Sequence, residues 1–161
     1  MPAPPAAKLF ALSREAARTM FGCREPEALR AFLETELPQL VSEEQRVEIG
    51  SVWGPLRAAC AAADEDTAAG FFPELRLILL GGRELQAGPN YEVRLMRPDA
   101  VPKIAADLAA LFPEQRRERI AAEPALAAHV EEALGAVEEI TRLYGQAASA
   151  GACVLLVVEL T

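Results

Sequence analysis

The stretch CVLLVVEL, residues 153–160, decides the fold. A strand with one wet face alternates apolar and polar side chains; a strand covered on both faces does not. Val154 to Val158 run without a polar residue, so the stretch predicts a strand central in its sheet. Just upstream, about Pro124 to Ala148 predicts the longest helix. Leu126, Val130, Leu134, Val137, Thr141 and Tyr144 share one stripe, and Glu131, Glu132, Glu138, Glu139 and Arg142 lie on the other side. Gly151 ends the connection to the strand.

Further upstream, LILLGGRELQAGPNYEVRLM (77–96) holds three glycines. A phosphate-binding loop needs GxxxxGK with a following hydroxyl, so that amides and lysine hold the phosphates. Here Arg83 and Glu84 follow Gly81-Gly82, with neither Lys nor hydroxyl. A dinucleotide fingerprint needs GxGxxG opening a helix, and Gly88 falls at the wrong spacing. The glycines instead supply turn geometry. Tyr91, Val93 and Leu95 alternate with Glu92 and Arg94, which predicts a half-buried strand over 91–96. Residues 75–80 and 9–12 are further strand candidates.

The other segments read as helices. Ser13 caps a helix that stops at Gly22, and Pro26 opens a second with Leu29, Phe32, Leu33 and Leu37 inward, closed by Pro38. Residues 52–63 predict a helix beginning near Pro55, followed by an acidic loop at Asp64-Glu65-Asp66. Residues 98–112 predict another, with Asp99 as N-cap so that Pro102 falls in the first turn, where its missing N–H is harmless. The outline is α+β: mostly helical with a small sheet, a single domain over 8–161 and a mobile Pro/Ala-rich tail at 1–7.

Composition narrows the chemistry. Of 161 residues 52% are hydrophobic and 25% charged, as in a folded globular chain, and the net charge of −8 argues against a nucleic-acid partner. No run has the length of a membrane span, and MPAPPAAKLFALSREAA lacks a charged n-region, so the expected location is cytoplasmic. Cys23, Cys60 and Cys153 are far apart and odd in number, which predicts reduced thiols. One histidine, His129, leaves no multi-histidine metal site, and no metal or cofactor is expected. The paired carboxylates read as solvated faces, as do Arg116, Arg117 and Arg119 interleaved with Glu114 and Glu118. Trp53 and Tyr144 read as core residues.

The order of segments over about residues 52–160 resembles the YfbM-like proteins, a family of small bacterial proteins carrying a domain of unknown function. The resemblance rests on VWGPLRAAC, LRLILLGGREL, YEVRLMRPDAVPKIAADL and ITRLYGQAASAGACVLLVVEL. The chain departs from the family pattern at CAAADED and at Pro102. The resemblance implies a compact α+β fold and a cytosolic bacterial origin, and it brings no catalytic residues.

Two functional expectations follow. The first is a non-enzymatic protein-binding module that neutralises a basic partner, as an immunity protein or antitoxin would, with Asp64, Glu65 and Asp66 as contacts. The second is a small-ligand site or unfamiliar enzyme where the 81–90 loop meets the helix near Asp99. Arg83, Tyr91, Arg94 and His129 would supply its polar groups.

Overall fold

The computed structural model describes residues 6–62, 73–87 and 91–159. In chain order the elements begin with β1 (Ala6–Leu12), α1 (Arg14–Gly22) and α2 (Pro26–Ala31). A π-helical turn (Phe32–Glu36), α3 (Leu37–Leu40) and a 3-10 turn (Glu43–Gln45) lead to β2 (Arg46–Ile49). Then come α4 (Trp53–Ala62), α5 (Pro73–Leu80), β3 (Arg83–Ala87) and β4 (Tyr91–Met96). The chain finishes with α6 (Val101–Ala109), α7 (Pro113–Ala122), α8 (Val130–Ala150) and β5 (Cys153–Glu159).

The five strands form one antiparallel sheet in the order β2-β1-β5-β4-β3, so β5 is central, as its unbroken apolar run requires. Its alternate side chains enter two cores. Val154, Leu156 and Val158 join Leu9, Trp53, Leu56, Val137 and Tyr144 on the face covered by α4 to α8. Cys153, Leu155 and Val157 join Phe10, Met20, Phe32 and Leu37 on the face covered by α1 to α3. The result is a helix–sheet–helix sandwich.

The structure corrects several expected boundaries. Residues 75–80 lie in α5 and form no strand: Leu75, Ile78 and Leu79 are buried while Leu77 is 52% exposed. Strand alternation would bury 75, 77 and 79 together; the i, i+3, i+4 pattern is helical, and a short apolar run alone does not separate the two. Two polar strands enter that the sequence reading leaves out, RVEI (β2) and RELQA (β3). Both are sheet edges, where one face or side meets water and apolar content falls.

At the N-terminus, Ala6 and Ala7 pair with Glu159 and Val158, so the tail boundary at residue 7 falls inside β1. The long helix starts at Val130 instead of Pro124, since residues 124–128 form turns in which His129 N–H donates to the Leu126 carbonyl at 2.8 Å. Helix α6 is preceded by Ala100 as its cap while Asp99 pairs with Arg97 at 3.1 Å, placing Pro102 in the first turn. Helix α4 starts at Trp53, which leaves Pro55 at the third helical position, again free of an N–H requirement.

Pro38 does not close its helix either. Its ring would strike the carbonyl four residues back, at Glu34, and it has no N–H to offer. The backbone widens instead, with Leu37 N–H donating to the Phe32 carbonyl, and the helix continues to Leu40.

The double glycine is a tight bend between α5 and β3. Gly82 has φ +80°, and a Cβ there would sit 2.7 Å from the Leu95 carbonyl oxygen; at Gly81 it would sit 2.6 Å from that of Leu77. Gly82→Ala is therefore expected to lower stability by about 1–3 kcal/mol, read as a lower urea midpoint. An unchanged midpoint would show that the turn relaxes freely.

Candidate functional site

The pleat of β4 separates the residues expected to share a ligand. Tyr91 is buried on the face covered by α1 to α3. Arg94, three residues on, lies on the opposite face with Glu92. Arg83 pairs with Leu95, at the far end of β4 from Tyr91, and lines a cleft of ≈ 220 Å³ with Met20, Cys23, Arg24 and Leu29. His129 is the half-buried residue before α8, its carbonyl accepting the Ala133 N–H at 2.9 Å. The four do not form one pocket. Asp64, Glu65 and Asp66 lie outside the described residues.

Arg94 has a structural partner. Glu92 is 7% exposed and bridges two guanidiniums, Arg94 Nε at 2.5 Å and Arg57 Nη2 at 3.0 Å. Arg57 also lies over the Trp53 ring, 5.7 Å from its centre. A carboxylate in apolar surroundings needs such pairing, and here the pairing ties α4 to β4.

The arginine run in α7 is likewise not a solvated face throughout. Arg116 is buried and donates to the Leu108 carbonyl at 2.8 Å, and Arg117 pairs with Glu131 of α8.

The two buried thiols, Cys60 and Cys153, are poor nucleophiles. Burial pushes Cys60 up to about 12 and raises Cys153 as well. Among the described residues no three His, Cys, Asp or Glu side chains are grouped to hold a metal ion, and no helix is long and apolar enough to cross a membrane.

Two surface hollows among the described residues bring several charged side chains together. The first is an open groove of ≈ 470 Å³ between the 3-10 turn and α8, lined by Glu43, Glu44, Glu139, Arg142 and Gln146. Arg142 spans it, donating to the Glu44 carbonyl at 2.8 Å and to Glu139 at 3.1 Å. The second is a cleft of ≈ 190 Å³ beside the π-helical turn. Phe10, Val157 and Tyr91 enter it from the sheet, Leu33 and Pro38 from the helical side, and Lys8, Glu34, Arg46, Glu48 and Glu159 supply charge.

Sequence reasoning missed this second cleft apart from Tyr91. The signals were Lys8 within an apolar strand, the alternation of RVEI and the break of the β5 run at Glu159.

The arrangement of helices about this sheet has known counterparts. A family described as a domain of unknown function, DUF1877, matches residues 6–157. The chain belongs to this family. The match includes residues 6–50, beyond the span over which the sequence resemblance was legible. The crystal structure of YfbM from Escherichia coli, a protein of unknown function, is similar at a TM-score of 0.65 and 13% identity. The similarity covers 95% of this chain and 99% of that chain, and at this identity it concerns the fold alone. No curated protein matches the chain.

Proposed function

We propose that this DUF1877 chain is a non-enzymatic cytoplasmic binding module for a basic protein, neutralising it as an immunity protein or antitoxin does. The observation that carries the reading is the open groove on α8, where three carboxylates meet one guanidinium on a molecule of net charge −8. A groove this open suits a side chain or loop of a partner better than an enclosed metabolite. Opposite charge would speed encounter and set specificity. Asp64, Glu65 and Asp66 are a second candidate contact on sequence grounds.

The test is capture from native lysate at low salt on the immobilised chain, beside a triple variant Glu43→Lys, Glu44→Lys, Glu139→Lys. A stoichiometric basic protein should bind the parent chain, weaken at least about tenfold at high salt, where the screening length contracts to roughly 3 Å at 1 M, and fail to bind the variant. Capture indifferent to salt and charge reversal, or no partner at low salt, would count against the reading.

A further inference from the structure

We propose that the cleft beside the π-helical turn binds a small zwitterion, an amino acid or short peptide, with its carboxylate on Arg46 and its ammonium on Glu159. The ions of the cleft are unevenly paired. Glu34 is engaged by Arg30 at 3.0 Å, and Lys8 lies 3.8 Å from Glu48. Among the described residues these pairings leave Arg46, which is half-buried, and Glu159 without a salt bridge of their own.

Register places the two at opposite ends. Arg46 stands opposite Phe10 on β1, and Glu159 stands opposite Ala6 on the other side of that strand. The backbone separation is about 13 Å along the strands and about 10 Å across them. Both side chains nevertheless line the one cleft, Arg46 from β2 and Glu159 from β5. A simple anion would meet three carboxylates, and a simple cation would leave the guanidinium unused. A ligand carrying both charges satisfies both ends.

The cleft has an ordered wall. Arg30, held by Glu34 on the π-helical turn, lies over the Tyr91 ring at 4.7 Å from its centre. Burial, then Glu34 and Glu159, push the Tyr91 hydroxyl up to about 12, so it stays protonated and able to donate to a ligand oxygen. The widened turn ahead of Pro38 carries Leu33 and Glu34, which line the same cleft.

The test is isothermal titration of the full chain with glycine, leucine and alanyl-leucine, each beside its N-acetyl and C-amide forms. At least one zwitterion should bind and raise the unfolding midpoint by several degrees, while blocking either terminus weakens binding at least tenfold. Arg46→Met and Glu159→Gln should each lose tenfold or more while their ligand-free unfolding midpoints stay near that of the parent, and Arg46→Lys should recover part. Absence of binding by all three zwitterions at millimolar concentration would overturn the proposal. So would equal binding of the blocked forms, or parent-like binding by both folded variants.

Discussion

A chain ending at Ala152 is expected to show no cooperative unfolding transition and little soluble product. Strand β5 pairs with β1 at seven positions and with β4 at six, so its removal divides the sheet into two separate hairpin-like pairs. It also empties both cores at once. Val154, Leu156 and Val158 leave one, and Leu155 and Val157 leave the other. Five large aliphatic side chains contribute about 8–15 kcal/mol on burial at 1.5–3 each, which matches or exceeds the 5–15 kcal/mol net stability of a domain this size. Circular dichroism through a urea titration checks this, and a soluble truncation with a sharp transition would disprove the central role of β5. Leu156→Ala is a milder probe, expected to lose about 2–5 kcal/mol.

Stability should also fall steeply in alkali. Cys60 and Tyr144 are deeply buried, and burial raises both groups: the thiol to about 12 from 9.0, the phenol above its ordinary 10.0. The unfolded chain therefore loses these protons first. Their contribution is complete below about pH 9, where both states are protonated, and drains away as pH rises toward the folded values. Each titrating group removes about 1.4 kcal/mol per pH unit, so two together remove about 3 kcal/mol per unit above pH 10. Urea midpoints at pH 8, 9, 10 and 11 should be level and then drop. Tyr144→Phe should shallow the fall, and a profile as steep in that variant would assign the effect elsewhere.

The legible parts of the fold were those where one pattern had one meaning. The Val-rich β5 run read as a doubly covered strand and is one. The alternation of Tyr91, Val93 and Leu95 revealed a strand but not that its other face is covered too, with Glu92 buried. The stripe through Leu134, Val137 and Tyr144 had helical spacing over many turns. Residues 75–80 were ambiguous because six residues of almost uniform apolarity carry no period, and only the exposure of Leu77 reveals the helix. Strands β2 and β3 were hidden because edge strands need little apolar surface. The separation of Tyr91 from Arg94 was itself readable, since residues three apart on a strand point to opposite faces.

By itself, the sequence determined an α+β chain with β5 at its centre, the glycine bend at 81–82, and the absence of a phosphate-loop signature. Those properties depend on local periodicity and on side-chain chemistry, which one strand of letters carries. Only the tertiary structure decided that Lys8, Arg46, Tyr91 and Glu159 share one cleft, while Arg83, Arg94 and His129 stand elsewhere. The physical reason is register: antiparallel pairing brings residues about 150 positions apart, such as Ala6 and Glu159, face to face, and nothing local encodes which rows will align.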